Sequence, residues 1–318
     1  MRKRCLDAVY RLAKKNKEII FIGSDLGVGV MDNFKKEMPD QWFMEGVSEQ
    51  HIIGMASGLA MTGKTVYMNT IATFITRRCY EQNAIDLGLS NVPVRLLGSG
   101  GGLVYAPLGP THLATEDIAL MRAIPNMTIF APCDAEEMER GMMATEKLPG
   151  PLYVRIAKGG ETVVSKPEAG FTLGKAILMK EAGDVLFVTT GVMPARALEA
   201  AQLLEAEGLK AGVLHFHTVK PFDHAALLAQ AAKVKAVISV EEHTLIGGLG
   251  SVVAETLADH AFERTPRLKR LGIPDVFPDK YGSQNSLLER YGLSGPQLAE
   301  QARALVSGAP ARLTPVGG

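Results

Sequence analysis

Short apolar runs and amphipathic segments alternate along the chain. In the first half, five apolar runs of strand length are separated by segments whose apolar residues recur with helical spacing. Strands separated by helices form parallel sheets covered on both faces, so this half is predicted to be a doubly wound α/β domain. Thr115 is expected to cap the third helix. The predicted strands are 18–22, 65–71, 92–97, 127–131 and 152–156; the predicted helices are 52–61, 78–89, 115–123 and 135–146.

The alternation breaks between residues 157 and 171, which are rich in Gly, Pro and charged residues, and restarts at residue 184. We therefore predict an α/β protein of two doubly wound, mainly parallel-sheet domains, at 1–165 and 183–318, joined by a linker at 166–182. In the second domain the predicted strands are 184–190, 211–216, 236–240 and 268–271; the predicted helices are 194–206, 224–232, 250–258 and 296–305.

Composition restricts the function classes. Hydrophobic residues make up 47% of the 318 and charged residues 21%, as in a soluble globular protein. Lys+Arg and Asp+Glu are equal at 34 each, which argues against nucleic acid or an anionic membrane as partner. The basic start is followed by no apolar signal-peptide core, and no apolar run reaches membrane-spanning length. A cytoplasmic protein is expected.

Metal-ligating residues show no grouping along the sequence. The cysteines are far apart and form no ligand-spaced pair, which argues against a zinc site or a disulfide framework. The histidines of the second half have no ligand-like spacing, so no metal ligands are expected from this chain. These residues are Cys5, Cys79, Cys133, His215, His217 and His224.

Two segments stand where strand-like runs give way to helix-like ones: 43–51 (Phe-Met-Glu-Gly-Val-Ser-Glu-Gln-His) and 109–112 (Gly-Pro-Thr-His). Open α/β sheets bind ligands at such strand ends. Glu49 opens a helix rich in small residues, and on spacing alone its carboxylate simply complements the helix dipole. The turn before His112 would hold its ring at the end of a strand.

These two segments resemble the pyrimidine-binding half of transketolase-type enzymes, which use thiamine diphosphate. The segments 219–223, 241–243 and 247–250 resemble the C-terminal domain of that family, and the similarity runs from about residue 7 to 305. It extends equally to deoxyxylulose-phosphate synthase. The chain lacks the Gly-Asp-Gly plus distal Asn signature that holds the cofactor diphosphate through a metal. The resemblance thus implies one subunit of a split transketolase, in α2β2 assembly with a diphosphate-binding N-terminal subunit that holds Mg²⁺.

The resemblance also implies roles for individual residues. A buried carboxyl, Glu49, would hydrogen-bond the aminopyrimidine and stabilise the imino tautomer that takes the thiazolium proton; burial is expected to raise the pKa of Glu49. Phe74 would stack on the pyrimidine. The remaining roles are substrate contact and proton transfer for His112, a cofactor contact for Asp25, a lining role for Tyr80, and binding of substrate phosphate for Arg155.

Three positions depart from the transketolase pattern. Pro107-Leu108 stand where an acidic residue contacts a substrate hydroxyl, and Gly100 and Gly29 stand where a histidine and a serine contact phosphate. The cofactor half of the site thus looks intact and the sugar-phosphate half eroded. We expect transfer of a two-carbon ketol or related acyl unit, from a ketose or 2-oxo donor to an aldehyde unlike ordinary pentose phosphates.

Other interpretations share this fold. A 2-oxoacid dehydrogenase β subunit or a deoxyxylulose-phosphate-synthase-like enzyme would release carbon dioxide from a 2-oxoacid; the Gly-Pro-Thr-His turn favours transketolase over the dehydrogenase. A non-catalytic scaffold subunit is disfavoured, since a buried Glu49 with no cofactor to satisfy would cost about 2–7 kcal/mol. The glycine run 98–102 lacks the Lys-Ser/Thr ending of a phosphate loop and indicates a close-packed or mobile loop.

Overall fold

A computed structural model gives the structure of the protein and describes residues 1–23, 29 and 31–308. Asp25 lies outside the described residues. The strands are β1 Ile19–Gly23, β2 Trp42–Met44, β3 Thr65–Ile71, β4 Val94–Ser99, β5 Thr128–Phe130, β6 Leu152–Ile156, β7 Ile177–Lys180, β8 Val185–Thr189, β9 Ala211–His215, β10 Thr218–Lys220, β11 Ala236–Thr244 and β12 Arg267–Ile273.

Eleven α-helices lie in the described ranges, and most connect successive parallel strands. They are α1 Arg2–Lys15, α2 Asp32–Glu37, α3 Glu49–Met61, α4 Tyr80–Gln82, α5 Asp117–Ala123, α6 Ala135–Ala144, α7 Pro194–Glu205, α8 His224–Ala231, α9 Leu249–Ala258, α10 Gln284–Arg290 and α11 Gly295–Ser307. The short α4 lies between two π-helical segments, Phe74–Arg78 and Asn83–Leu89. Within the part of the chain that is described, none of these helices is long and apolar enough to span a membrane.

Two mixed sheets organise the molecule. The first has the order β10-β5-β6-β4-β3-β1-β2 and the second β12-β11-β8-β9-β7. All pairings are parallel except those of β10 with β5 and β7 with β9. The predicted fold class, two mainly parallel α/β domains, is confirmed.

Strand β10 belongs to the second half of the chain but pairs with the first sheet. One hydrophobic core likewise runs through both halves, containing Ile52 and Leu96 of the first and Leu214 and Val237 of the second. A second core lies under α1 and α6, and a third under α7 and α11. The two domains therefore share packing instead of being joined only by a linker.

Two local predictions need correction. The helix expected from Thr115 begins at Asp117, with Glu116 at its N-cap, and the Thr115 hydroxyl donates to the Glu116 side chain (3.1 Å) without capping the helix. The end of the predicted linker is strand β7, which pairs with β9. Short antiparallel edge strands such as β7 carry too few residues to show a clear period in sequence.

Candidate active site

Glu49 is positioned by a sharp turn between β2 and α3. Gly46 and Val47 take φ values of 68° and 55°, so two consecutive residues adopt the left-handed conformation. For a β-branched residue such as Val47 this costs roughly 1–3 kcal/mol, a kind of strain that clusters at functional sites. The Ser48 hydroxyl donates to the Glu45 carbonyl (2.8 Å) and makes no cap on α3. The turn makes Glu49 the first residue of α3, beside the carboxyl end of β2.

The Glu49 carboxylate is buried, with 4% of its side chain exposed, and accepts a hydrogen bond from Arg78 (Nη1 to Oε2, 2.8 Å). Burial pushes the pKa of this carboxyl upward, as predicted. The hydrogen bond and charge of Arg78, together with backbone and Glu45 hydrogen bonds, outweigh burial, and the pKa lies below its usual value. The prediction of a raised pKa is therefore wrong for this chain, because Arg78 supplies an opposite charge.

Phe74, Arg78 and His112 meet in front of Glu49. The Arg78 guanidinium carbon lies 4.1 Å from the centroid of the Phe74 ring, a cation–π contact. The His112 ring meets the same phenyl ring edge-on, with centroids 5.3 Å apart. Three of the predicted site residues, Glu49, Phe74 and His112, are thus connected through direct contacts, with Arg78 as the bridge between Glu49 and Phe74.

The turn before His112 has the predicted tight geometry. Gly109 has a φ of 79°, and a side chain there would also meet the Tyr281 ring at 2.9 Å, so glycine is required for two reasons. The backbone N–H of His112 donates to the Gly109 carbonyl (3.0 Å). Its Nδ1 lies 2.9 Å from the Thr111 hydroxyl. This bond and the Phe74 edge contact orient the imidazole.

Arg155 has a different environment from the predicted one. Its buried guanidinium pairs with Asp117 (Nε to Oδ2, 2.8 Å) and donates to the Ala114 and Glu242 carbonyls. Tyr153 donates to the same aspartate (2.6 Å). Burial lowers the pKa of Arg155, but Asp117 and the Glu242 charge outweigh it, and the net shift is upward. The anion that this buried cation requires is therefore Asp117 of the same chain, where a substrate phosphate was predicted.

The glycine run 98–102 is close-packed. A Cβ added at any of its four glycines would overlap a neighbouring side chain at 2.0–2.7 Å. The clashing pairs are Gly98 with Tyr153, Gly100 with Tyr105, Gly101 with Arg155, and Gly102 with Glu242. The loop thus lies directly over the Arg155 ion pair, and Gly100 leaves no room for the histidine found there in transketolases.

Tyr80 was also predicted to line the site, and two residues of this group were not predicted. Tyr80 is half-buried and packs against the core shared by both domains. Asp25 falls outside the described residues. The missed residues are Arg78 and the buried Glu45, which accepts a hydrogen bond from Thr70 (3.3 Å). The adjacent arginines 77 and 78, in the segment that follows β3 and carries Phe74, were the available signal for Arg78.

The arrangement suits a flat, nitrogen-containing ring. Arg78 presents a planar group that stacks on Phe74 and donates to Glu49. An aminopyrimidine is also planar and could stack on Phe74 if Arg78 moved aside. Its ring nitrogen accepts a hydrogen bond, so it would pair with the protonated carboxyl of Glu49, the form that burial favours without Arg78. The residues present therefore fit the pyrimidine half of thiamine diphosphate.

Comparison with known families agrees with this fold. Residues 1–160 match the family model "Transketolase, pyrimidine binding domain", and residues 174–298 match "Transketolase, C-terminal domain". Fold and site thus define a two-domain subunit of the thiamine diphosphate-dependent class. The chain belongs to the transketolase family, as the sequence resemblance predicted, and its domain content is that of one subunit of a split transketolase-like enzyme.

This chain aligns with nearly the whole length of several relatives. The 6-deoxy-6-sulfo-D-fructose transketolase subunit SqwH of Clostridium sp. strain MSTE9 is 34% identical over 95% of this chain and 93% of its own. An apulose-4-phosphate transketolase subunit of Phocaeicola vulgatus is 33% identical over 96% and 97%. A solved structure described as "Split gene transketolase, inactive beta4 tetramer" superposes with a TM-score of 0.86 at 34% identity, covering 96% of this chain and 98% of that one.

Proposed function

We propose that this chain is the pyrimidine-domain subunit of a two-subunit transketolase that transfers a two-carbon ketol unit from a ketose to an aldehyde. The proposal rests on the buried Glu49 carboxylate. The Arg78 guanidinium connects this carboxylate to the Phe74 ring, which lies beside His112. A buried carboxyl, an aromatic face and an imidazole at one sheet edge are the groups such a reaction needs from this half of the site.

Each residue has a distinct task in this proposal. Thiamine diphosphate, when bound, supplies the electron sink for breaking a carbon–carbon bond next to a carbonyl. Glu49 would share a proton with the pyrimidine ring nitrogen, and this hydrogen bond would stabilise the imino tautomer of the aminopyrimidine. Phe74 supports the ring face, and His112 contacts the substrate and moves a proton. Arg78 vacates the stacking position and pairs with Glu49 again when the cofactor leaves.

We assign the diphosphate and Mg²⁺ to a partner subunit, in an α2β2 assembly. Two observations support this assignment. The sequence carries no Gly-Asp-Gly plus distal Asn signature. The related solved structure is described as an inactive tetramer of β chains alone.

The acceptor is expected to differ from ordinary pentose phosphates. The Tyr105 ring occupies the space that a side chain at position 100 would need, so no side chain can contact a phosphate from that position. Arg155 is committed to Asp117. Relatives of similar identity are named for different sugars, a sulfo-sugar and apulose 4-phosphate. A kinetic panel of ketose donors and aldehyde acceptors tests this expectation; best turnover on xylulose and ribose phosphates would contradict it.

Synthesis of a deoxy sugar phosphate is the second candidate. The 1-deoxy-D-xylulose-5-phosphate synthase of Synechococcus sp. strain WH7803 is 33% identical over 93% of this chain, which spans 46% of that enzyme. Such an enzyme decarboxylates pyruvate, whereas a transketolase releases no carbon dioxide. Carbon dioxide release from pyruvate by the assembled enzyme would favour the synthase over the transketolase.

The proposal is tested by calorimetric titration of thiamine diphosphate and Mg²⁺ into the chain alone, and into its mixture with a partner that carries the diphosphate signature. We expect binding only in the mixture. Saturable binding of the cofactor to the chain alone would contradict the split site. If the two subunits assemble and neither sample binds the cofactor, the cofactor assignment is wrong.

A further inference from the structure

A second cluster of chemically active side chains lies between the two domains. Cys133 and Glu137 come from the start of α6 and the residues before it, and His215 ends β9 of the second sheet. All three side chains are buried, and one potential ligand atom of each lies within 4.8 Å of the others. Glu137 Oε2 is 3.0 Å from His215 Nε2 and accepts the backbone N–H of Cys133 (2.7 Å). The sequence spacing gave no sign of this group, because His215 is 78 residues from Glu137.

The cluster contains unsatisfied polar atoms. Among the described residues, Glu137 Oε1 and the neighbouring His217 Nε2 are buried and have no hydrogen-bond partner. The rings of His215 and His217 lie 6.2 Å apart. Buried polar atoms nearly always have partners, and each exception calls for an explanation such as an ion. Here both orphan atoms are lone-pair donors that a cation can use.

The three side chains offer the donor types that a divalent cation uses. Such a metal would bind the Glu137 carboxylate and the neutral imidazole of His215 directly, and it would displace the proton of the Cys133 thiol.

We propose that Cys133, Glu137 and His215 form a zinc site that fastens the two domains together. Sulfur, imidazole nitrogen and carboxylate oxygen are the ligands of protein zinc, and a tetrahedral ion holds such atoms roughly 3.3–3.6 Å apart. The observed atoms, within 4.8 Å, reach that spacing by small side-chain shifts. Water or His217 Nε2 completes the tetrahedron.

The surroundings support a metal site. The Thr189 hydroxyl lies 3.4 Å from His215 Nδ1, and the Thr218 hydroxyl 2.9 Å from His217 Nδ1, so in each imidazole the Nε2 atom is the one that a metal would bind. His217 Nε2 has no partner among the described residues, and a metal would replace the contact between His215 Nε2 and Glu137 Oε2. Cys133 also borders a cavity of about 810 Å³ between the domains, which provides a path for the ion. The site is separate from the Glu49 group and does not depend on the proposed function.

The test uses the full-length reduced chain, freed of metal with a chelator and then titrated with Zn²⁺ or Co²⁺. We expect one ion per chain, a sulfur-to-cobalt charge-transfer absorption, and a rise in the thermal midpoint of at least about 4 °C with saturating zinc. The variants Cys133→Ser and His215→Asn should lose the absorption and the midpoint shift. Cys5→Ser, which removes another buried cysteine, is the matched control and should keep both.

Absence of a stoichiometric ion and of a midpoint shift in the unsubstituted chain would overturn the proposal. So would persistence of the cobalt absorption in a folded Cys133→Ser or His215→Asn variant, or its loss in Cys5→Ser. Zinc binding and the midpoint shift are measured on the unsubstituted chain. The proposal can therefore be refuted even if a variant fails to fold.

Discussion

The Glu49 carboxylate is the residue on which the proposed chemistry depends. Glu49→Gln keeps the shape of the side chain and removes its charge and basicity. We expect a loss of about 100-fold or more in kcat/KM of the assembled enzyme, the usual range for an acid–base group. Glu81→Gln, an exposed carboxyl on α4, is the control and should leave kcat/KM unchanged. Near-normal activity of Glu49→Gln would remove Glu49 from the mechanism.

Arg78 controls the ionisation of Glu49, and its removal should change how stability depends on pH. In the folded protein the pKa of Glu49 is lowered from 4.5, so its charge favours folding at neutral pH and this contribution fades as pH falls through the lowered value. In Arg78→Met burial dominates and the pKa rises, which disfavours folding at neutral pH.

Thermal unfolding checks this at two pH values. At pH 7 we expect Arg78→Met to lose about 1 kcal/mol, a modest amount because Arg78 is half-exposed. Near pH 4 the difference from the unsubstituted chain should narrow, since Glu49 becomes protonated in the variant. An equal difference at both pH values would show that Arg78 stabilises the fold by packing alone.

Among individual site residues, those whose position follows from a local motif could be predicted from the sequence. Glu49 and Phe74 come shortly after the ends of β2 and β3, and the turn that begins at Gly109 fixes where His112 lies. The pKa of Glu49 and the partner of Arg155 could not be predicted, because Arg78 and Asp117 reach them across 29 and 38 residues. Such pairings depend on tertiary packing.

The glycine loop after β4 and strand β6 form one packed unit, and Gly101 is its tightest contact with Arg155. Gly101→Ala would bring a Cβ to 2.4 Å from the Arg155 Cγ, and such overpacking costs about 1–3 kcal/mol. Gly58→Ala, in α3 with open space around it, should instead stabilise by about 0.5–1 kcal/mol. Calorimetric midpoints compare the two; a neutral Gly101→Ala would mean that the loop relaxes easily.

Elements were predicted best where burial is complete. The central strands β3 and β6 match the predicted limits, because strands covered on both faces read as continuous apolar runs. Strands β2, β7 and β10 were missed, since each has three or four residues and lies at a sheet edge. Helix α3 begins three residues earlier than predicted, because its polar first turn carries Glu49 instead of apolar residues.

At the scale of the whole molecule, the feature to explain is a group of exposed apolar side chains beside Glu49. Met44 is 54% and Val47 85% exposed, and Phe43 adjoins them. Exposed apolar groups beside a functional site mark interaction surfaces. In the proposed assembly the partner subunit covers them.

Val47→Asp tests this surface with little risk to the fold, because aspartate tolerates the left-handed conformation better than valine. We expect its affinity for the partner subunit to fall at least about tenfold while the thermal midpoint of the isolated chain is unchanged. Leu203→Asp, on α7, is the control and should assemble normally. Sedimentation velocity measures assembly; normal assembly of Val47→Asp would place the partner elsewhere.

The pairing of β10 with β5 also has a consequence for the order in which the chain acquires its structure during synthesis. The first sheet cannot be completed until residues 218–220 have left the ribosome, although its other strands end at residue 156. Until then β5 is an open edge, able to pair with another nascent chain. A fragment ending at residue 165 would keep that edge permanently, and is expected to self-associate.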